Sequence, residues 1–137
     1  MELVYTEDQL GDIVLKILAV SESKIICLNG PMGSGKTTLI KEMVRALGGA
    51  QQGSSPTFSI VNEYSGKDGS LLGFHFDFYR LEDEKEALDI GLEDYLSQDV
   101  WIFMEWPENI ASLIPPEATR LTIEVLNPLT RKIILES

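Results

Sequence analysis

The chain has one cysteine, Cys27, and one histidine, His75, among its 137 residues. That excludes an internal disulfide and leaves no basis for a structural zinc site, which needs several such ligands. Cys27 lies in the apolar run IICL and is read as a small buried hydrophobe, since no cationic neighbour in sequence lowers its pKa. Long apolar runs are missing, so no segment is expected to span a bilayer. The N-terminus, MELVYTEDQL, is acidic and lacks the basic-then-apolar layout of a signal peptide. A cytoplasmic location without membrane association is the expectation. Basic residues are scarce: 11 Lys and Arg stand against 22 Asp and Glu, for a net charge of −11. Tight binding to nucleic acid rests on clustered cations that displace counterions from phosphates. Only Arg131 and Lys132 adjoin, so RNA or DNA is not expected to be bound directly.

The composition is that of an ordinary globular protein, 44% apolar and 24% charged. The length suits a single domain over residues 1–137. Thr6-Glu7-Asp8-Gln9 reads as a capping box, with Tyr5 and Leu10 placed for a hydrophobic staple. Leu10, Ile13, Val14, Ile17 and Leu18 repeat at helical spacing, predicting a helix over 7–20 with one buried face. Lys24 to Leu28 reads as a buried strand. A second helix starts near Lys36 and stops at Gly48-Gly49. Phe58 to Tyr64 and Leu71 to Tyr79 read as a β-hairpin about the turn Ser65–Ser70. In its second strand Leu72, Phe74, Phe76 and Phe78 alternate, which puts His75, Asp77 and Tyr79 on the opposite face. Residues 83–97 read as acidic and helical, interrupted at Gly91. Val100 to Met104 is a buried strand ending at Glu105, and Pro107 opens a short helix. Two further strands, around Leu121–Val125 and Lys132–Leu135, close the chain. The class is α/β, a mixed, mostly parallel sheet flanked by helices, with an inserted β-hairpin.

The strongest local signal is Gly30-Pro31-Met32-Gly33-Ser34-Gly35-Lys36-Thr37, which fits G-x-x-x-x-G-K-S/T throughout. A buried strand runs into it and a helix leaves it. A triphosphate concentrates negative charge, and backbone N–H groups must approach it closely. Glycine permits this because it lacks Cβ and accepts positive φ. The helix N-terminus adds free donors and a favourable dipole. This predicts a P-loop NTPase fold that binds a nucleoside triphosphate with Mg²⁺. Gly30, Gly33, Ser34 and Gly35 form the cradle, Lys36 reaches the β- and γ-phosphates, and Thr37 ligates the metal. Thr38 is a weaker candidate, toward the α-phosphate. A hydrolytic P-loop site also wants an acid at the end of a buried strand. Glu105 fits that place, to hold the metal or to orient water. Asp77 is a second candidate for metal or proton, against an even expectation of a merely solvated position. His75, read alone, is structural. Thr57, in the loop Ser54-Ser55-Pro56-Thr57, is a candidate γ-phosphate sensor, although composition favours an ordinary turn.

The segments GPMGSGKTT, SPTFSIVNEY, HFDFYRL, IGLEDYL and FMEWPE occur in the order and approximate spacing of one family. The chain resembles the TsaE family, small ATPases of bacterial threonylcarbamoyladenosine synthesis on tRNA, from about Thr6 to Arg131. The resemblance implies an ATP-binding and hydrolysing subunit that associates with TsaD and TsaB. It supports threonylcarbamoylation of tRNA adenosine 37, meeting tRNA only through that complex. It also implies that Lys36 and Thr37 hold phosphate and magnesium and that Thr57 lies in a switch-like loop. Asp77 and Glu105 would stand at the metal and attacking water, and Trp106 would flank the nucleotide. Thr6 and Arg131 fall where the family contacts the nucleotide. No arginine is placed by pattern as a charge-neutralising finger, so hydrolysis without partners is expected to be weak. Two other readings remain open at this point: a small-molecule kinase, with His75, Asp77 and Arg80 gripping an acceptor, and a non-catalytic ATP-gated binding module. The absence of an N-K-x-D motif argues against a GTPase.

Overall fold

The computed structural model describes residues 1–50 and 60–136. Seven strands form one sheet in the order β1-β7-β6-β2-β5-β4-β3. They are β1 (Glu2–Thr6), β2 (Ile25–Asn29), β3 (Val61–Ser65), β4 (Leu71–Asp77), β5 (Trp101–Glu105), β6 (Thr119–Asn127) and β7 (Thr130–Glu136). The central four, β6-β2-β5-β4, run parallel, and the outer pairings are antiparallel. The mixed α/β architecture therefore has a parallel core and two antiparallel flanks, one of them the expected β3–β4 hairpin.

The helices are α1 (Leu10–Val20), α2 (Lys36–Ala46), α3 (Glu84–Asp89) and α4 (Leu92–Leu96). Apolar periodicity dictates which faces they bury. Val14, Ile17, Leu39 and Met43 of α1 and α2 pack on one side of the sheet, against Ile26, Leu28, Phe103, Leu121 and Ile123. On the other side Cys27, Phe74, Phe76, Ile102 and Met104 are covered by Ala87, Leu92 and Ile110. Both faces of β2 and β5 are thus buried, which is why those strands read as continuous apolar runs. Burial pushes the Cys27 thiol up to about 11, matching its role as core.

Local signals place the boundaries. The capping box at Thr6 is present, with the Thr6 N–H donating to Gln9 Oε1 at 3.0 Å. The first turn, Glu7–Gln9, is a 3-10 turn, so α1 proper starts at Leu10 rather than at residue 7. Gly48, at φ 87°, ends α2, and Gly91, at φ 88°, separates α3 from α4. Strand β1 is a finding that the periodicity does not announce. It pairs with β7, its partner in space but almost the whole chain away, placing Leu3 beside Ile133 and Tyr5 beside Arg131.

One expectation fails. Leu72 does not share the face of Phe74 and Phe76. Between Tyr64↔Gly73 and Ser65↔Leu71 the hairpin register shifts, so Leu72 is the extra residue of a bulge. The bulge turns Leu72 toward the α1–α2 side, where it packs against that core. The expected strand start at Phe58 falls outside the described residues.

Candidate functional site

The P-loop leaves β2 at Gly30 and enters α2 at Lys36. Gly33 and Gly35 hold φ of 76° and 99°, in the left-handed region that a Cβ disfavours. A Cβ built at either position would meet nothing within 4 Å, so the backbone there faces open space rather than packed protein. Gly30 is restricted differently, since a Cβ there would stand 2.8 Å from Ser34 Oγ and 3.1 Å from the Ile123 carbonyl. No side chain caps the N-terminus of α2, so its first N–H groups are left to a ligand or solvent. Ser34 Oγ is buried with no partner among the described residues. Positive-φ glycines over open space, uncapped helix donors and an orphaned hydroxyl together fit an anionic guest.

Two distinct neighbourhoods flank the loop. On the first, Lys36, Thr37, Glu105, His75 and Trp106 assemble. The parallel register puts Glu105 beside Leu28 of β2 and beside Asp77 of β4. The Thr37 hydroxyl lies 3.1 and 3.0 Å from the two Glu105 oxygens and donates to that carboxylate. His75 Nε2 lies 2.6 Å from Glu105 Oε2. An ionised carboxylate only accepts, so Nε2 carries the proton of this bond. Lys36 Nζ donates to the Gly30 carbonyl at 2.6 Å and sits 3.6 Å over the Trp106 ring. Trp106 is the sole non-glycine residue with positive φ among the described residues, at 57°.

All three polar side chains here are nearly sealed: Lys36 is 5% exposed, Glu105 4% and His75 5%. Burial alone would raise the Glu105 pKa, but the His75 hydrogen bond and charge, the Thr37 hydroxyl and the Lys36 ammonium together hold it below the usual value. Burial lowers the Lys36 pKa, opposed in part by Glu105, Glu108 and Asp77. Lys36 is therefore a cation held where water does not fully compensate it, and an incoming phosphate would do so.

Asp77 ends β4 on the same sheet face as His75, as the alternation predicts, but it is exposed. Its Oδ1 accepts from the Tyr79 N–H at 3.1 Å, and it makes no hydrogen bond to Thr37 or Glu105. Among the described residues no cluster of three or more His, Cys, Asp or Glu side chains forms a ready metal cage. Thr37 and Glu105 offer oxygen donors only. That suits Mg²⁺, which is usually held by one or two carboxylates with substrate phosphates and water completing the shell.

On the second side of the loop lies a cavity of about 830 Å³, lined by Thr6, Asp8, Gly33, Ser34, Thr38 and Arg131 among others. Arg131 Nε donates to the Ser34 carbonyl at 3.1 Å, and Nη1 donates to the Asn127 carbonyl at 2.9 Å. These bonds tie β7 and the β6–β7 turn to the P-loop. Thr6 and Arg131, from opposite ends of the chain, meet here because β1 pairs with β7 and aligns Thr6 with Thr130.

The sequence-derived candidates thus divide. Lys36, Thr37, Glu105 and Trp106 form the buried polar cluster, with Asp77 at its edge. Ser34, Thr38, Thr6 and Arg131 border the cavity. Trp106 stands against Lys36 rather than in that cavity. Thr57 lies outside the described residues. Two things were not anticipated. His75 is a partner of Glu105 rather than a purely structural group, and Tyr5 joins Thr6 in the cavity wall. The signal for His75 was available, since the alternation already set it on the face of Asp77, opposite the phenylalanines.

Residues 4–133 match the family model described as Threonylcarbamoyl adenosine biosynthesis protein TsaE. The chain is 36% identical over 105 residues to the tRNA threonylcarbamoyladenosine biosynthesis protein TsaE of Haemophilus influenzae, covering 77% of this chain and 65% of that one. It is 38% identical over 100 residues to the protein of the same description from Bacillus subtilis, covering 73% and 61%. The Rickettsia felis counterpart is 31% identical over 128 residues, covering 91% and 73%. The matched region thus spans less than two thirds of the length of the first two relatives. Among solved structures, the crystal structure of Bacillus subtilis YdiB superposes with a TM-score of 0.71 at 25% identity, covering 98% of this chain and 84% of that one. With a family model matched across nearly its whole length, the chain belongs to the TsaE family.

Proposed function

We propose that this chain binds Mg–ATP at Gly30–Thr38 and hydrolyses it slowly, as the ATPase subunit that works with TsaD and TsaB in threonylcarbamoylation of tRNA adenosine 37. The observation that carries the reading is the bond between the Thr37 hydroxyl and the Glu105 carboxylate beneath the P-loop, beside a buried Lys36. In phosphoryl transfer the protein mainly positions groups and compensates charge. Lys36 would leave the Gly30 carbonyl for the β- and γ-phosphate oxygens, where its charge is fully used. The P-loop N–H groups and the N-terminus of α2 would hold the remaining phosphate charge. Thr37 and Glu105 would hold Mg²⁺, which supplies charge neutralisation at the phosphates when bound. Asp77, exposed at the rim, would face the attacking water or the metal, and Thr57 would answer to the γ-phosphate. The cavity beside Thr6, Thr38 and Arg131 has a volume suited to a nucleoside, and its wall places Arg131 against the same loop that takes the phosphates.

Arg131 is the one arginine hydrogen-bonded to the P-loop among the described residues, and backbone carbonyls of Ser34, Asn127, Pro128 and Thr130 occupy its guanidinium. With no arginine other than Arg131 hydrogen-bonded to the P-loop among the described residues, turnover by the chain alone would be low and partner docking would raise it. The charge of −11 supports docking on a basic protein surface and gives the chain little purchase on tRNA itself.

The test is calorimetry with Mg–ATP on wild type and Lys36→Ala, followed by phosphate release with and without TsaD–TsaB. Heat of binding that disappears in the variant, and turnover raised by the partners, are expected. No binding by wild type, or equal turnover in both conditions, would sink the reading.

A further inference from the structure

We infer that His75 is a positioning residue for Glu105, fixing the carboxylate in the orientation that addresses Thr37 and its metal. The inference rests on the reading that Mg–ATP occupies the P-loop. His75 and Glu105 lie on neighbouring parallel strands. His75 pairs directly with Phe103 and Asp77 pairs with Glu105, so the imidazole and the carboxylate are diagonal neighbours on one sheet face. Their 2.6 Å contact equals that of Lys36 as the shortest hydrogen bond in the cluster, and both side chains are sealed from solvent. A carboxylate with only the Thr37 hydroxyl as partner would be free to rotate about its last torsion. Two donors on different sides, Nε2–H from β4 and Oγ1–H from α2, remove that freedom. Thr37 bridges both oxygens, whereas His75 holds Oε2 alone, so Oε1 is the oxygen left with spare acceptor capacity. The second imidazole nitrogen, Nδ1, is buried with no partner among the described residues. The ring's identified polar contact is therefore Glu105, and its function is read through that group. Partners of this kind, standing behind a metal ligand, set its direction and basicity.

Two substitutions separate positioning from simple packing. In H75Q the side-chain amide falls near the place of Nε2 and can still donate to Glu105. In H75N it falls near the place of Nδ1 and cannot reach. Affinity for a fluorescent ATP analogue is measured on the full chain with EDTA and again with Mg²⁺, and single-turnover hydrolysis follows. Metal-free affinity is expected to match wild type in both variants. The gain in affinity from Mg²⁺ should fall roughly 10- to 100-fold in H75N and be retained in H75Q. In an E105Q background H75N should cost nothing further. If H75N does not fold, H75A is read in its place by the same criteria. An unchanged Mg²⁺ gain in H75N, or equal losses in H75N and H75Q, overturns the inference while leaving nucleotide binding intact. Failure of wild type itself to bind Mg–ATP removes the underlying reading, a result distinct from either.

Discussion

The two faces of the central sheet are built from the same four parallel strands and are chemically unlike. On the α3–α4 side, Cys27, Phe74, Phe76, Ile102 and Met104 of β2, β4 and β5 give an apolar layer. On the α1–α2 side the apolar layer of Ile26, Leu28 and Phe103 gives way, at the C-terminal strand ends, to His75, Glu105 and Lys36. Alternation makes the contrast possible: adjacent residues of β4 and β5 serve opposite purposes, Phe76 next to His75 and Met104 next to Glu105. One face stabilises the fold through burial. The other spends part of that stability on charged groups that water no longer reaches. Ligands of open α/β sheets sit outside the carboxyl ends of the strands, and the charged groups are found there.

This contrast can be broken by substitution. The largest effect on folding is expected from Phe76→Ala, which empties a fully buried site and should cost about 3–5 kcal/mol of stability. Chemical denaturation measures it, and Mg–ATP affinity of the folded fraction should stay near wild type. A large change in affinity would mean that the faces are not separable. Lys36→Ala is the converse. It should lower hydrolysis by roughly 10²–10³-fold, the scale for losing one preorganised charge contact, while shifting the thermal midpoint without nucleotide much less than Phe76→Ala does.

Acid sharpens the same division. Glu105 has a folded pKa below its unfolded value, so its contribution to stability is complete above the ordinary carboxylate pKa. It is lost as pH falls through the folded value. Glu105→Gln should therefore flatten the acid limb of stability against pH, measured as thermal midpoints at successive pH values, and should abolish multiple-turnover hydrolysis. An acid limb as steep as wild type would show that Glu105 is not the coupled group. The smallest effect is expected from Arg131→Ala, which removes the bonds to the Ser34 and Asn127 carbonyls. A loss of about 1–3 kcal/mol in nucleotide affinity, with little change in the Mg²⁺ dependence, would place Arg131 on the cavity side alone.

How much of this could be read from residues alone depended on distance along the chain. The P-loop was legible because its glycines, lysine and threonine are contiguous and flanked by a strand and a helix. Glu105 was legible because a buried strand must deliver its last residue to the edge where the loop lies. The face of His75 was legible from alternation, but its bond to Glu105 was not, because that partner is thirty residues on and on another strand. Strand β1 was hidden for the same reason: five residues have no period of their own until β7 pairs with them. The misplacement of Leu72 came from a bulge, which strict alternation does not foresee. Thr6 and Arg131 came from family resemblance, and their shared cavity wall follows from the β1–β7 pairing.

Trp106 carries a backbone strain that other residues in the described chain avoid, and the indole it holds lies under the Lys36 ammonium. An ammonium that would move to meet a phosphate under the proposed function is thus parked on a natural fluorophore. The other tryptophan, Trp101, stacks on Phe103 and opens β5, the strand that Trp106 follows. With Trp101 replaced by phenylalanine, the emission of one indole would report departure of the lysine in real time, without any added label.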